Sequence, residues 1–135
     1  MVALCTAGWA KYELYVTDGC ACGLAQRTPF AILNPFRDHA PDRLAERYLE
    51  ALRDGSCSRL PQDEFDQAST QAALCELKYP LEHWTLRAID NQAGGAYVSY
   101  QVAYGDPRSD EGNPYGVLLM KRDGHWRIAS RDTFY

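Results

Sequence analysis

What this chain has little of narrows it first. No apolar run approaches the roughly 18 residues of a membrane-crossing helix, and Met1 to Ala10, interrupted by Thr6 and Gly8, makes a poor signal peptide. The chain therefore reads as soluble with no membrane partner, and composition does not choose between a cytoplasmic and an extracytoplasmic home. Positive charge is in the minority: 14 Lys and Arg stand against 18 Asp and Glu, a net of −4, with both signs scattered rather than blocked. That distribution lacks the basic stripe a nucleic-acid partner requires.

Metal ligands are sparse too. Cys20-Ala21-Cys22 supplies half a site, but no second Cys or His pair accompanies it, and His39, His83 and His125 are dispersed. The one-residue spacing also lacks the intervening pair of a thioredoxin-like motif. No metal and no cofactor are expected. Nowhere does a motif bring a nucleophile, a base and an orienting group together. Neither βαβ alternation nor an internal repeat occurs, which removes doubly wound and solenoid architectures.

What is present is enough for one core. At 135 residues and 46% hydrophobic content, a single domain can bury itself without a metal or a dense disulfide scaffold. Its organising feature is a C-terminal hairpin: Gly116 to Arg122, then Asp123-Gly124, then His125 to Ser130. Asp-Gly between two β-prone runs favours a tight turn, because glycine tolerates positive φ and Asp can satisfy nearby backbone donors. These two strands are expected at the sheet's centre, with Arg131 to Tyr135 prolonging the second.

Residues 1–39 form a poorly defined N-terminal segment. Tyr12 to Thr17 alternates and ends at Asp18-Gly19, which suits either a short strand or a disordered leader. Thr28-Pro29 and Asn34-Pro35 punctuate a connector whose Phe30, Ile32, Leu33 and Phe36 can pin it to a core. The folded domain is assigned to residues 40–135. From Pro41, Leu44, Ala45, Tyr48, Leu49 and Leu52 recur at helical spacing, opposite Glu46, Arg47, Glu50 and Arg53, and Gly55 supplies a stop. A second helix is predicted from about Pro61 to Leu77, with Phe65, Ala68, Ala72 and Cys75 on one face. After Pro80 the period drops to two. Glu82 to Asp90 makes a strand with Trp84, Leu86 and Ala88 on one face, and Ala96 to Tyr104 makes the next. Gly105 to Pro114 is a polar loop rich in breakers. The predicted class is α+β: helices first in the chain, packed on one face of a curved antiparallel sheet of at least four strands.

This element order, together with the closing Asp123-Gly124-His125-Trp126-Arg127-Ile128-Ala129-Ser130, resembles the NTF2-like superfamily over about Pro41 to Phe134. Its members often end with a strand built on Gly-x-Trp-[Lys/Arg]-Ile. The resemblance implies a sheet curved into a cone, frequently with an apolar pocket inside and a homodimer formed through the sheet. The superfamily includes isomerases, dehydratases, polyketide cyclases and transport factors, so fold alone does not choose an activity. The Asp or His-Asp pair and Tyr that the isomerase and cyclase branches place inside the cone find no match by motif here. Two functions therefore stand side by side. One is a non-catalytic domain binding a small apolar ligand or a protein partner; the other is a cofactor-free enzyme of isomerase, dehydratase or cyclase type with an acid or base in the cone.

Nine tyrosines and three tryptophans are the compositional excess that bears on ligands. Trp84, Tyr100, Tyr104 and Trp126 are the candidate lining, since aromatics with polar tips are common in pockets and equally common in cores. Asp132 is the candidate acid or base near a pocket mouth, set against the plainer role of a solvated strand-end carboxylate. Five cysteines leave at least one thiol unpaired in a monomer. Cys57 and Cys75 are the disulfide candidates. Antiparallel packing of their helices would separate them, whereas a crossing or parallel arrangement brings the Cα atoms within the roughly 4.4 to 6.8 Å that a bridge requires.

Overall fold

The structure is a computed structural model that describes residues 38–67, 70–92, 94–105 and 113–133. The expectations for Tyr12 to Thr17, the Cys20-Cys22 pair and the 30–36 connector lie outside the described residues, as does most of the polar loop, 106–112.

The first element is helix α1, Ala40–Asp54. Asp38 sets its entry by accepting the Ala40 amide at 2.9 Å, and Pro41 occupies the first turn, where its missing N–H costs nothing. Gly55 ends it in the left-handed conformation at φ 72°, and the Gly55 and Ser56 amides close back on Leu52 and Ala51. Pro41, Leu44, Ala45, Tyr48, Leu49, Ala51 and Leu52 form the buried stripe.

The predicted second helix is a different object. Residues Cys57–Arg59 and Gln62–Glu64 are short 3₁₀ turns, and among the described residues of this stretch only Gln71–Cys75 is α-helical, here α2. Phe65 explains the break. It leaves helical geometry to form an isolated parallel bridge with Ile128, and Asp66 N–H donates to the Ile128 carbonyl at 2.8 Å. Burying an aromatic ring against the sheet outweighs the weak intrinsic preference of a short helix. Cys57 and Cys75 are joined in a disulfide with Cα atoms 5.4 Å apart. Beside it, the buried Gln71 amide donates to the Leu60 carbonyl at 2.9 Å, tying α2 to the turn preceding it.

Four strands follow: β1 Leu81–Gln92, β2 Gly95–Tyr104, β3 Asn113–Arg122 and β4 His125–Thr133. They pair antiparallel in the order β1-β2-β3-β4. The C-terminal hairpin forms through Asp123 and Gly124, both at positive φ (51° and 78°), as a two-residue turn of the I′ kind demands. It does not make the centre of the sheet. Among the described residues a simple meander leaves the last strand at the edge, so β2 and β3 are interior and β4 is not.

The face turned to α1 carries Val98, Tyr100, Val102, Tyr104, Tyr115, Val117, Leu119 and Ile128, all in the core. On β1 the alternation slips. Trp84 and Leu86 stand opposite the inward-facing Val102 and Tyr100, but an irregularity after Leu86 puts Ala88 opposite Ser99 and turns Ile89 inward instead. A bulge displaces the second half of a strand's pattern by one residue, and simple alternation does not reveal where that happens.

Leu49 is completely buried, so Leu49→Ala should destabilise by about 2 to 5 kcal/mol, measured by urea unfolding. Removing the bridge with Cys57→Ala and Cys75→Ala together should cost about 3 kcal/mol, because the open loop regains chain entropy when unfolded. The same titration, run with and without a reductant on the unmutated chain, checks that value.

Candidate functional site

Two tryptophans hold α1 on the sheet, and each does so in the same way. Trp84 of β1 donates its indole N–H to Glu46 Oε1 at 2.8 Å while the Arg53 guanidinium lies 5.0 Å from its ring centre. Trp126 of β4 donates to Asp38 Oδ2 at 2.9 Å, with the Lys121 ammonium 5.7 Å from its ring. The Ala40 amide and then the Trp126 indole hold the Asp38 carboxyl below its usual range. Each ring thus combines a satisfied donor with a cation over its face.

Tyr100 and Tyr104 are placed differently. At 3% and 5% exposure they belong to the packed core. Burial, and after it the nearby Glu46 and Asp42 carboxylates, push the Tyr100 phenol far above its ordinary pKa. Glu46 therefore serves both Trp84 and Tyr100, and one turn earlier Asp42 pairs with His39 at 2.8 Å. A carboxylate at each of two positions four residues apart, both near one phenol, follows from helix geometry. Motif matching could not find this group, because its members come from α1, β1 and β2.

At the middle of the core lies a second polar cluster that the sequence did not announce. The fully buried Tyr48 hydroxyl donates to the Leu74 carbonyl at 2.5 Å and accepts from Tyr115 at 3.2 Å. Arg131 reaches the same Leu74 carbonyl at 2.9 Å, the Ala73 carbonyl at 3.3 Å and the Glu76 carbonyl. The Ala73 carbonyl also accepts the Glu76 amide at 3.3 Å, and the guanidinium adds a donor to the carbonyls at the end of this five-residue helix.

Asp132 sits on the opposite face of the sheet, beside Gly116 in the register. It accepts a hydrogen bond from the Tyr97 hydroxyl at 3.1 Å. The Tyr97 side chain lies across Gly116 so closely that a Cβ there would fall 1.8 Å from the Tyr97 oxygen. Glycine at 116 makes room for the ring, which in turn covers the gap in the strand. This outer face also carries Ala88, Ala103, Leu118 and Met120 among polar Thr85, Ser99 and Gln101. None of the described helices packs on it.

The five candidate ligand residues therefore do not converge. Trp84 and Tyr100 share Glu46, Trp126 stands at the other side of α1, Tyr104 is core, and Asp132 faces away from the helix. A cleft of about 260 Å³ opens beside Trp126, lined also by Arg47, Asp63, Glu64, His125 and Arg127. Among the described residues, no group of three or more His, Cys, Asp and Glu side chains is arranged to hold a metal ion. No described helix is long and apolar enough to cross a membrane. No protein-family model matches this chain, and neither does any curated protein.

Tyr97 gives a pH signature for the outer face. Burial, and after it the hydrogen bond to Asp132, push its phenol from 10.0 up to about 12. A folded-state pKa above the unfolded one means the associated stability is whole below about pH 10 and is lost as pH rises towards 12. Tyr97→Phe should therefore flatten part of the alkaline decline in stability. Urea midpoints at about pH 9 and about pH 11.5 for both proteins provide the comparison.

Proposed function

We propose that this domain is a non-catalytic binding module of NTF2-like type. Its sheet curves about α1, and its open face takes a protein partner, in the simplest case a second copy of the chain. The observation that carries this reading is the outer face itself: Tyr97, Leu118 and Met120, with Ala88, lie on a face that no described helix covers. Tyrosine and methionine are enriched at protein interfaces. A small apolar ligand inside the cone is the weaker form of the reading, since Tyr100 and Tyr104 are taken up by the core. The Cys57–Cys75 bridge fits an oxidising compartment.

One observation favours a second reading. Tyr100 beside Glu46 and Asp42, with His39 on Asp42, is a set of acid and base groups at one place, as a cofactor-free proton-transfer enzyme would need. It ranks below the binding reading because Tyr100 is buried among packed side chains.

Sedimentation equilibrium is the test. The protein should run at twice its 15.2 kDa mass at high concentration, and Leu118→Glu, a charge placed in the outer face, should return it to the monomer. A 15.2 kDa species alone at every concentration would remove the homodimer.

A further inference from the structure

We infer that the edge of β4 at Trp126 is a docking site for an extended peptide, which adds to the sheet as a short fifth strand in the cleft between β4 and the 62–64 turn. This site is separate from the outer sheet face and does not depend on it.

In an antiparallel pair, successive residues turn their backbone N–H and C=O alternately towards the partner strand and away from it. Ile128 turns away from β3, because its carbonyl accepts the Asp66 amide and it bridges to Phe65. The pairing of Ile128, Arg127 and Trp126 with Leu119, Met120 and Lys121 is unbroken, and the register shift lies on the far side of Ile128. Trp126 therefore has the same phase as Ile128. Its main-chain donor and acceptor point out from the sheet edge, and no described residue pairs with them.

The cleft lies at that edge. Trp126 and its neighbours His125 and Arg127 form one wall, and Arg47, Asp63 and Glu64 form the other. Arg47 and Glu64 hold the second wall to α1 through an ion pair of 2.5 Å. Immediately downstream, Phe65 already adds to β4 in the parallel sense, so the chain itself supplies the first rung of the ladder a peptide would extend. A peptide unit offers one donor and one acceptor, so it is complementary to the Trp126 main chain. The half-buried Trp126 ring favours an aromatic or long aliphatic side chain in the peptide.

The other edge is less suited. β1 is longer, but its register is interrupted after Leu81 and again after Leu86, and such irregularities are how exposed edges avoid accepting another strand.

A phage-displayed library of random seven-residue peptides, panned against the oxidised full chain, supplies the probe. Recovered peptides should bind with Kd below about 100 μM and should slow hydrogen exchange at the Trp126 amide about tenfold or more. Trp126→Ala should weaken them about tenfold. Should that variant unfold, Asp63→Trp, which fills the cleft from an exposed position, should have the same effect with an unchanged circular dichroism spectrum. Leu118→Glu on the sheet face should leave peptide affinity within about twofold, whatever it does to the oligomer. The inference is overturned if no recovered peptide reaches about 100 μM. It is equally overturned if protection appears along β1, or if Leu118→Glu abolishes binding while Asp63→Trp does not.

Discussion

The burial of the Tyr48 hydroxyl is the constraint on which the rest of the structure leans. A hydroxyl taken out of water must find a partner inside the protein or cost several kcal/mol. The Leu74 carbonyl is that partner, and Tyr115 donates to the same hydroxyl. One atom of α1 thereby sets where α2 ends and where β3 lies. Leu74 precedes Cys75, so the disulfide to Cys57 restrains the segment that presents the carbonyl. Arg131 closes the arrangement from β4 by bonding the same oxygen. Helices and strands that are far apart in the chain meet here, and the short α2 persists because its exposed carbonyls are satisfied.

Around that centre the two tryptophans act as clamps. Trp84 fastens α1 to β1 through Glu46, and Trp126 fastens its entry to β4 through Asp38, two residues before the helix. Such partly exposed hydrogen bonds contribute about 1 kcal/mol each, far less than the apolar stripe beneath them.

Two surfaces of unlike physics result. The outer face offers side chains, with Tyr97 locked over Gly116 by Asp132, and a partner there would gain chiefly by burying apolar area. The β4 edge offers main chain, and a partner there would gain chiefly by completing hydrogen bonds. Tyr48, Tyr100, Tyr104 and Tyr115 are all taken up by the packed interior.

Helix α1, the hairpin turn at Asp123-Gly124 and the four-stranded antiparallel sheet were all legible in the sequence. Each is written in local periodicity or in a turn that demands positive φ, and short-range sterics suffice for both. The stretch from Pro61 to Leu77 was not legible as it stands. Its apolar spacing suits a helix, but Phe65 gains more by bridging to Ile128, a residue more than sixty positions away. The inward turn of Ile89, the edge position of β4 and the placement of Asp132 on the outer face escaped for a related reason: a one-residue bulge or the order of strands reverses what alternation suggests. So did the candidate site. Trp84, Tyr100 and Glu46 meet, as do Trp126, Asp63 and Glu64, only because elements far apart in the chain pack together. By itself the sequence determined helix α1 with its apolar stripe, the four strands and the turn at Asp123-Gly124, since those depend on neighbours within a turn or a pleat. Only the tertiary structure decided which side chains share a site, because that depends on packing and hydrogen-bond satisfaction between segments that the chain keeps far apart.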